Sequence, residues 1–505
     1  MVPDLRSVST HHQLMSDILC LLSLPFSVQL ITWNVKSEQC KCDLTQLLDI
    51  DADRLTTGAG DQPLADIYAI GLQEVAFRPT ALLFTDPWVV AFDRVFKQLD
   101  YVRLKQIRLV GILLIVYTKR HKLPHFRSIE TQYTRTGFGG LWGNKGGVSV
   151  SLIMDGISLC IVNTHLAPHY ENLEQRITDY NTITDGQYFW SNKKPNILSH
   201  DYVLWMGDLN FRIDDLTGDE IHDIILNAPQ TQRSDHSVNS FAQLLANDQL
   251  NRVRHEGLAF SEFSETEPTF APTYKFFVNT DNYDYKSRKP AYTDRVLYRF
   301  TVNAYDNLKL DLKQLNYKSH PQYKQSDHKP VSSLFHLKTK ESVQRVLRKR
   351  MAPLGEFDSQ ELDAGVDGGD QQVYVTFHPI TDWKVNRDST AWYTITPNNR
   401  NAIDSMSPWD WIGLFKSDFL STDELLSYVW ANPVPSRWSP PDSSDNSTQN
   451  ADNESAGTSD TENAEPWFSV QYSDQTLLIA DQFRLVYVTQ NGDVLGISEP
   501  FLITN

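Results

Sequence analysis

Tyr202-Val203-Leu204-Trp205-Met206-Gly207-Asp208-Leu209-Asn210 carries an unbroken apolar run straight into Gly, Asp and Asn. Five apolar residues without alternation suit a strand buried on both faces, and the Gly-Asp that ends it marks where the chain leaves the sheet. The same grammar recurs on either side. Ser27-Val28-Gln29-Leu30-Ile31-Thr32-Trp33 alternates like a first strand, and the runs at 67–72, 111–117, 148–153, 157–162 and 295–298 are short, Val/Ile/Leu-rich and bounded by Gly, Asp or Pro. Helical patterns at 173–184 and 240–256 interleave with them. Residues 27–337 therefore read as one layered α/β domain rich in sheet.

The strand ends carry polar residues able to do chemistry. Asn34 follows the first strand, Glu74 the second, His165 the run ending at Val162, and Asp208 with Asn210 the run quoted above. Asp294 precedes one strand, while Asp327 and His328 precede the last. Singly, each has a plain structural explanation as a cap, a turn former or a satisfied histidine. Six such places in one domain point to a shared rim. The chemistry they suit is metal-assisted phosphoester hydrolysis. Glu74 and Asn34 offer hard oxygens to Mg²⁺. Asp208 can take the proton of an attacking water that Asn210 orients. His165 and His328 can face phosphoryl oxygens, with Asp294 holding His328 in the required tautomer. No Ser or Cys lies in a nucleophile elbow or phosphate loop, so direct attack by water is expected.

Composition bounds the rest. With 505 residues, 40% hydrophobic, 22% charged and 12 Trp, the chain has material for about three domains and is not wholly disordered. The net charge of −17 is concentrated: residues 356–370 and 442–465 hold thirteen acids and no Lys or Arg, leaving −4 elsewhere. The folded parts are thus close to neutral and can hold phosphate-binding sites. Four cysteines exclude a disulfide scaffold and suit a reducing compartment, and Cys40-x-Cys42 has no second pair at zinc-ligand spacing. The apolar run at 18–26 is short and broken by Pro25, and resembles a secretory signal poorly.

The set TWNV, GLQEV, GNKGGVSV, NTHL, WMGDLNFRI, PTYKF, KPAYTDRVLY and SDHKPV, in this order across residues 27–337, resembles the inositol polyphosphate 5-phosphatases. The resemblance implies a four-layer α/β (α+β) sandwich of the deoxyribonuclease/endonuclease/phosphatase type. It implies Mg²⁺ at Glu74 and Asn34, Asp208 as base, Asn210 steadying the transition state and His165 on the scissile 5-phosphate. Asp294 and His328 would form an oriented pair with Asp327 beside it. Tyr274, Lys275, Lys286 and Arg288 fall on the family's spacing for binding a 4-phosphate, with Lys289 in the same basic group. Asn144 and Lys145 are expected near the substrate phosphates. Tyr292 and Thr293 stand where the family usually has Trp and often Cys, and are expected to flank the chemistry without supplying it.

Residues 338–372 read as a charged, then Gly/Asp/Glu-rich linker, with 338–350 able to form a short helix. From residue 373 to 505, short strand patterns at 373–377, 392–395, 411–415, 468–472 and 483–489 predict a small β-sandwich, interrupted by a Ser/Asp/Asn-rich acidic insert at 436–465. Trp409-Asp410-Trp411-Ile412-Gly413-Leu414-Phe415-Lys416 and residues 487–500 resemble the SKICH domain, an immunoglobulin-like sandwich, which implies recruitment to membranes or to a protein partner. The expectation is a Mg²⁺-dependent enzyme acting on phosphatidylinositol 4,5-bisphosphate and 3,4,5-trisphosphate, cytoplasmic and recruited peripherally to the endoplasmic reticulum or plasma membrane. Two rivals share the fold: a phosphodiesterase or nuclease, which leaves Tyr274, Lys275, Lys286 and Arg288 unexplained, and an inactive adaptor, which a missing catalytic residue would favour. Nucleic acid is not an expected partner.

Overall fold

A computed structural model describes residues 25–50, 63–76, 86–137, 139–190, 195–228, 239–305, 309–339 and 372–505, the last without 382, 386, 397–399, 432–433, 437–438, 441–465 and 474–479. The N-terminal run, most of the linker and most of the acidic insert lie outside these residues. The chain divides into two compact units, Met1–Thr118 with Ser128–Asp358, and Lys119–Arg127 with Ser359–Asn505.

The first unit is built on two mixed sheets. One contains β1 (Phe26–Asn34), β2 (Ile67–Gln73), β3 (Tyr101–Leu109), β4 (Ile112–Lys119), β10 (Leu312–Ser319) and β11 (Val331–Leu337), in the order β10-β11-β1-β2-β4-β3. The other runs β5 (Phe126–Gly137), β6 (Trp142–Met154), β7 (Ile157–His165), β8 (Tyr202–Asp208) and β9 (Asp294–Phe300), in that order. The apolar runs of the sequence are inner strands, except β9, which closes the second sheet beside β8. The strands it did not announce, β3, β5 and β10, are edges, where one side of the ladder is unpaired and the side chains are more polar.

The sheets pack face to face through β1 and β2 against β7, β8 and β9. Gly71 marks the closest approach: a Cβ there would lie 2.7 Å from Asn163 Cγ and 2.9 Å from Met206 Cε. Helix α1 (Pro87–Gln98), capped by Asp86 accepting from Trp88 N at 2.8 Å, lays Trp88, Phe92 and Phe96 on Trp33, Tyr68 and Tyr117 outside the first sheet. Helix α2 (Leu173–Gly186) packs Tyr180 and Ile183 against Val162 and Trp205 outside the second. Helix, sheet, sheet and helix make the four layers.

The single helix expected over 240–256 is two, α4 (Ala242–Ala246) and α5 (Gln249–His255), preceded by α3 (Gly218–Asn227). The break has a tertiary cause. The Asn247 carbonyl accepts from Asp214 N at 2.8 Å, and Asp248 caps α5 at Asn251 N, 3.1 Å, while pairing with the buried Arg295 at 2.9 Å.

The second unit is the predicted sandwich. Strands β12 (Tyr374–Phe377), β14 (Ser389–Thr396) and β17 (Phe468–Tyr472) form one sheet; β13 (Trp383–Lys384), β20 (Phe501–Thr504), β18 (Asp481–Val488), β15 (Trp411–Lys416) and β16 (Ser427–Trp430) form the other, with β19 (Val494–Ile497) on β18. Tyr393, Phe468, Tyr472, Trp383 and Phe501 fill its core. The short segment Arg120–His125 also belongs here: Arg120 is buried over the Phe419 ring at 4.5 Å and donates to the Phe419 carbonyl.

Candidate active site

Strand direction brings the polar ends together. β1 and β2 run parallel, as do β7 and β8, so Asn34, Glu74, His165 and Asp208 all sit where strands finish. β9 is antiparallel to β8 and β11 to β1, so their first residues arrive at the same rim. His165, Asp208 and Asp294 occupy one row across three strands. Glu74 turns out of β2 on a left-handed backbone, φ +55. His328 is tied beside β1 by Trp33 Nε1 donating to its carbonyl at 3.1 Å and by Ser326 Oγ donating to the Asn34 carbonyl at 2.7 Å.

Asp208, buried, is the hub. Its Oδ2 accepts from Asn34 Nδ2 at 2.9 Å and lies 3.3 Å from His165 Nε2 and 3.9 Å from His328 Nε2. Asn34 Nδ2 also reaches Glu74 Oε1 at 3.2 Å. Lys145 Nζ donates to His165 Nε2. On the far side, His328 Nδ1 lies 3.0 and 3.2 Å from the Asp294 oxygens, and Asp294 Oδ2 is held by the hydroxyls of Thr273 at 2.7 Å and Thr293 at 2.9 Å.

These contacts set the charges. Burial alone would lower the His328 pKa, but the Asp294 and Asp208 carboxylates outweigh it and raise it to about 9. Burial pushes the Asp208 carboxyl up, yet the His328 charge, the contact with His165 and the Lys145 charge hold it well below the usual carboxylate range. Burial, then the Lys145 ammonium, lowers His165. Burial lowers Lys145 as well, against the pull of Asp208 and Glu74. At neutral pH the centre holds an imidazolium at His328, a neutral imidazole at His165 and a carboxylate at Asp208.

Among the described residues Asp208, Asp294 and His328 place one potential ligand atom each within 4.8 Å of one another. His328 cannot serve there as a ligand while it is cationic and hydrogen-bonded to Asp294. Glu74 and Asp208 suit a cation better: both are hard oxygen donors, and the Glu74 side chain is 44% exposed, leaving an open side for water and substrate. Asn34 bridges these two acids through Nδ2, while its Oδ1 accepts from Lys36 N at 3.1 Å. The amide expected to offer oxygen thus offers nitrogen here; the two ends exchange by a half-turn of the side chain. This donor set fits a hard divalent cation.

Around the centre the other expected residues separate. The Tyr274 ring lies 4.4 Å from the His328 ring, tilted by 37°, with the Arg212 guanidinium 4.9 Å from the tyrosine ring. Asn210 has its amide engaged with the protein, Nδ2 donating to the Leu166 carbonyl at 3.1 Å and Oδ1 accepting from Arg212, so it braces the Asp208 turn. Lys275 lies 3.7 Å from Asp284, Arg288 donates to His169 Nδ1 at 2.8 Å, and Lys286 and Asn144 are exposed. Lys289 is turned aside, donating to the Leu216 carbonyl at 2.6 Å. Asp327 pairs with Lys36 at 3.2 Å, so the partner of His328 is Asp294.

Sequence reasoning missed Arg212 as a site residue, although the every-second-residue spacing Asp208, Asn210, Arg212 was available to find it. It also misjudged Thr293, which does more than flank: its hydroxyl bonds Asp294 and lies 3.3 Å from His328 Nδ1. Thr273 and Lys36 gave no signal, because each acts on residues distant in the chain.

Residues 31–334 match the family described as Endonuclease/Exonuclease/phosphatase family 2, and residues 375–503 match the SKICH domain. Inositol polyphosphate 5-phosphatase K of Mus musculus is 33% identical over 493 residues, 94% of this chain and 89% of that protein. Phosphatidylinositol 4,5-bisphosphate 5-phosphatase A of Homo sapiens is 32% identical over 95% of this chain, which spans 42% of that protein's length. The inositol polyphosphate 5-phosphatase domain of SPsynaptojanin, solved with inositol (1,4)-bisphosphate and calcium ion, is 28% identical with a TM-score of 0.51, covering 70% of this chain and 98% of that one. The strand-end constellation and these matches agree: the chain belongs to the inositol polyphosphate 5-phosphatases of the endonuclease/exonuclease/phosphatase family and carries a SKICH domain after the catalytic unit.

Proposed function

We propose that this chain is a Mg²⁺-dependent phosphatase that removes the 5-phosphate from phosphatidylinositol 4,5-bisphosphate and 3,4,5-trisphosphate, and from soluble inositol polyphosphates with the same neighbouring phosphates. The observation that carries it is the meeting of Asn34, Glu74, His165, Asp208, Asp294 and His328 at one rim, with no member missing. Both named relatives are 5-phosphatases by description.

Glu74 with Asn34 would hold the Mg²⁺, which when bound would supply charge neutralisation for the transferring phosphoryl group. Asp208, anchored by Asn34 and by Asn210 N, accepts the proton of the attacking water. The His328 imidazolium, oriented by Asp294, and the Lys145 ammonium beside His165 face the charge that develops on the phosphoryl group. Tyr274, Lys275, Lys286 and Arg288 clasp the neighbouring 4-phosphate through charge-assisted bonds, and Asn144 lies at the substrate side of Lys145.

No helix among the described residues is long and apolar enough to cross a membrane. We assign recruitment to the second unit, residues 373–505, tethered by 338–372. There Trp409, Tyr428 and Trp430 are 64%, 48% and 51% exposed, and the Trp430 ring on the edge strand β16 lies 5.8 Å from Trp409 and 5.3 Å from Tyr428. Such rings, apolar in body and polar at one end, suit a membrane interface.

The test is phosphate release from the two lipids, inositol 1,4,5-trisphosphate and abasic DNA, with Mg²⁺ or EDTA, for wild type and Asp208→Ala. Mg²⁺-dependent loss of the 5-phosphate that the variant lacks is expected. DNA cleavage without phosphatase activity would favour the nuclease reading, and silence on all substrates the adaptor.

A further inference from the structure

The chain leaves β7 through Ala167-Pro168-His169-Tyr170, and His169 takes a left-handed backbone, φ +75. That conformation is held from beneath. Arg176, buried on α2, donates to the carbonyls of Ala167 at 3.2 Å and His169 at 2.6 Å, and to Gln249 Oε1 at 2.7 Å. A loop clamped by a buried guanidinium presents the His169 ring in one place, and Arg288 meets it there at 2.8 Å. A guanidinium can only donate, so His169 Nδ1 accepts and the ring proton sits on Nε2.

The next residue repeats the contact. Lys289 lies 5.5 Å over the Tyr170 ring and donates to the Leu216 carbonyl at 2.6 Å, which turns it away from the substrate side. The turn carrying both cations hangs from Lys275: Asp284 N donates to the Lys275 carbonyl at 2.8 Å, and Arg288 N to the Asp284 carbonyl at 3.2 Å. The loop that follows His165 therefore touches the cationic clasp.

We propose that His169 is a positioning residue that sets the preference for a phosphate next to the scissile one, by holding the Arg288 guanidinium in its binding direction without touching substrate. This rests on the 5-phosphatase reading above. A free surface arginine spreads over many rotamers, and ordering it on binding weakens affinity. His169 restricts that freedom in advance. Because it stands four residues beyond His165, one short loop fixes both the scissile-phosphate side and the neighbouring-phosphate side.

The test compares kcat and KM for inositol 1,4,5-trisphosphate and for inositol 1,5-bisphosphate, which has a bare 4-hydroxyl. His169→Ala should raise KM for the trisphosphate about fivefold, the scale of one lost exposed polar contact, with kcat within about twofold and the bisphosphate unaffected. His169→Asn, which tolerates the left-handed backbone and offers Oδ1 in place of Nδ1, should restore KM to within about twofold. Combined with Arg288→Ala, His169→Ala should add nothing further. Equal loss on both substrates, a fall in kcat, or no rescue by Asn would overturn the proposal and leave His169 a packing residue. Silence of the wild type on both compounds would instead overturn the 5-phosphatase reading, and the proposal with it.

Discussion

The reacting centre and the cationic clasp lie in one unit and are built in opposite ways. At the centre Asp208, Asp294, His165 and His328 are buried, and each is held by at least one other site residue. In the clasp Lys286 and Arg288 are exposed, Arg288 has one side-chain partner, and Lys275 faces a single acid. The first arrangement fixes charge before substrate arrives, which is what transition-state stabilisation requires. The second leaves exposed cations that, in the proposed function, receive a phosphate, with Arg288 set in advance by His169. Loss of centre residues should therefore fall on kcat, and loss of clasp residues on KM.

The largest effect is expected at the hub. Asp208→Ala should lower kcat by about 10³-fold or more with little change in substrate affinity, measured by phosphate release and by binding of a non-hydrolysable analogue. A mainly KM effect would erase the distinction between the two regions. Next comes His328→Gln, expected to cost about 10²-fold in kcat, together with a test of its charge by pH. Its folded pKa of about 9 lies above the unfolded value of roughly 6.5. The proton therefore stabilises the fold fully below about pH 6.5, by on the order of 3 kcal/mol, and that contribution fades as pH rises through about 9. Denaturation of the metal-free protein between pH 6 and 10 should show the loss in wild type and not in His328→Gln.

Thr293→Val removes one hydroxyl from Asp294 and should lower kcat about tenfold while KM holds, the scale of an outer partner of a working residue. No effect would return Thr293 to a merely flanking role. Lys275→Ala should raise KM about tenfold for a substrate carrying the 4-phosphate and spare kcat. The smallest effect is assigned to the other unit: Trp430→Ser should weaken sedimentation with phosphoinositide vesicles several-fold and leave hydrolysis of soluble substrate unchanged. A loss of soluble activity would show that the ring serves catalysis rather than recruitment.

The fold was legible where burial writes a strong pattern and illegible where it does not. β8 is apolar from Tyr202 to Met206 because both its faces are covered, and its ends could be read to within two residues. β3, β5 and β10 are edge strands whose mixed polar sequences, such as Tyr101–Leu109, resemble loop or helix as much as strand. The 240–256 pattern is periodic enough for one helix, yet the backbone contacts of Asp214 and Ile213 with Asn247 and Asp248 divide it. Those partners lie more than thirty residues upstream, beyond the reach of any local pattern.

The candidate site divides in the same way. Chain chemistry alone named Asn34, Glu74, His165, Asp208, Asp294 and His328, because each is a polar break at the end of an apolar run. Residue types also limited the reaction to one run by oxygen ligands, carboxylate and imidazole. Asp294 was already expected to hold His328, and the folded structure adds what its sequence neighbour does instead. Asp327 is adjacent to His328 in sequence but pairs with Lys36, whereas Asp294, thirty-four residues away, takes the ring. It likewise turned Lys289 out of the clasp, brought Arg212 in under Tyr274 and put Thr293 on the working pair. The reason is physical: burial and strand ends are local properties that leave a periodic trace, while charge partnership depends on which strands run parallel and which antiparallel, and that is settled only when the two sheets close on each other.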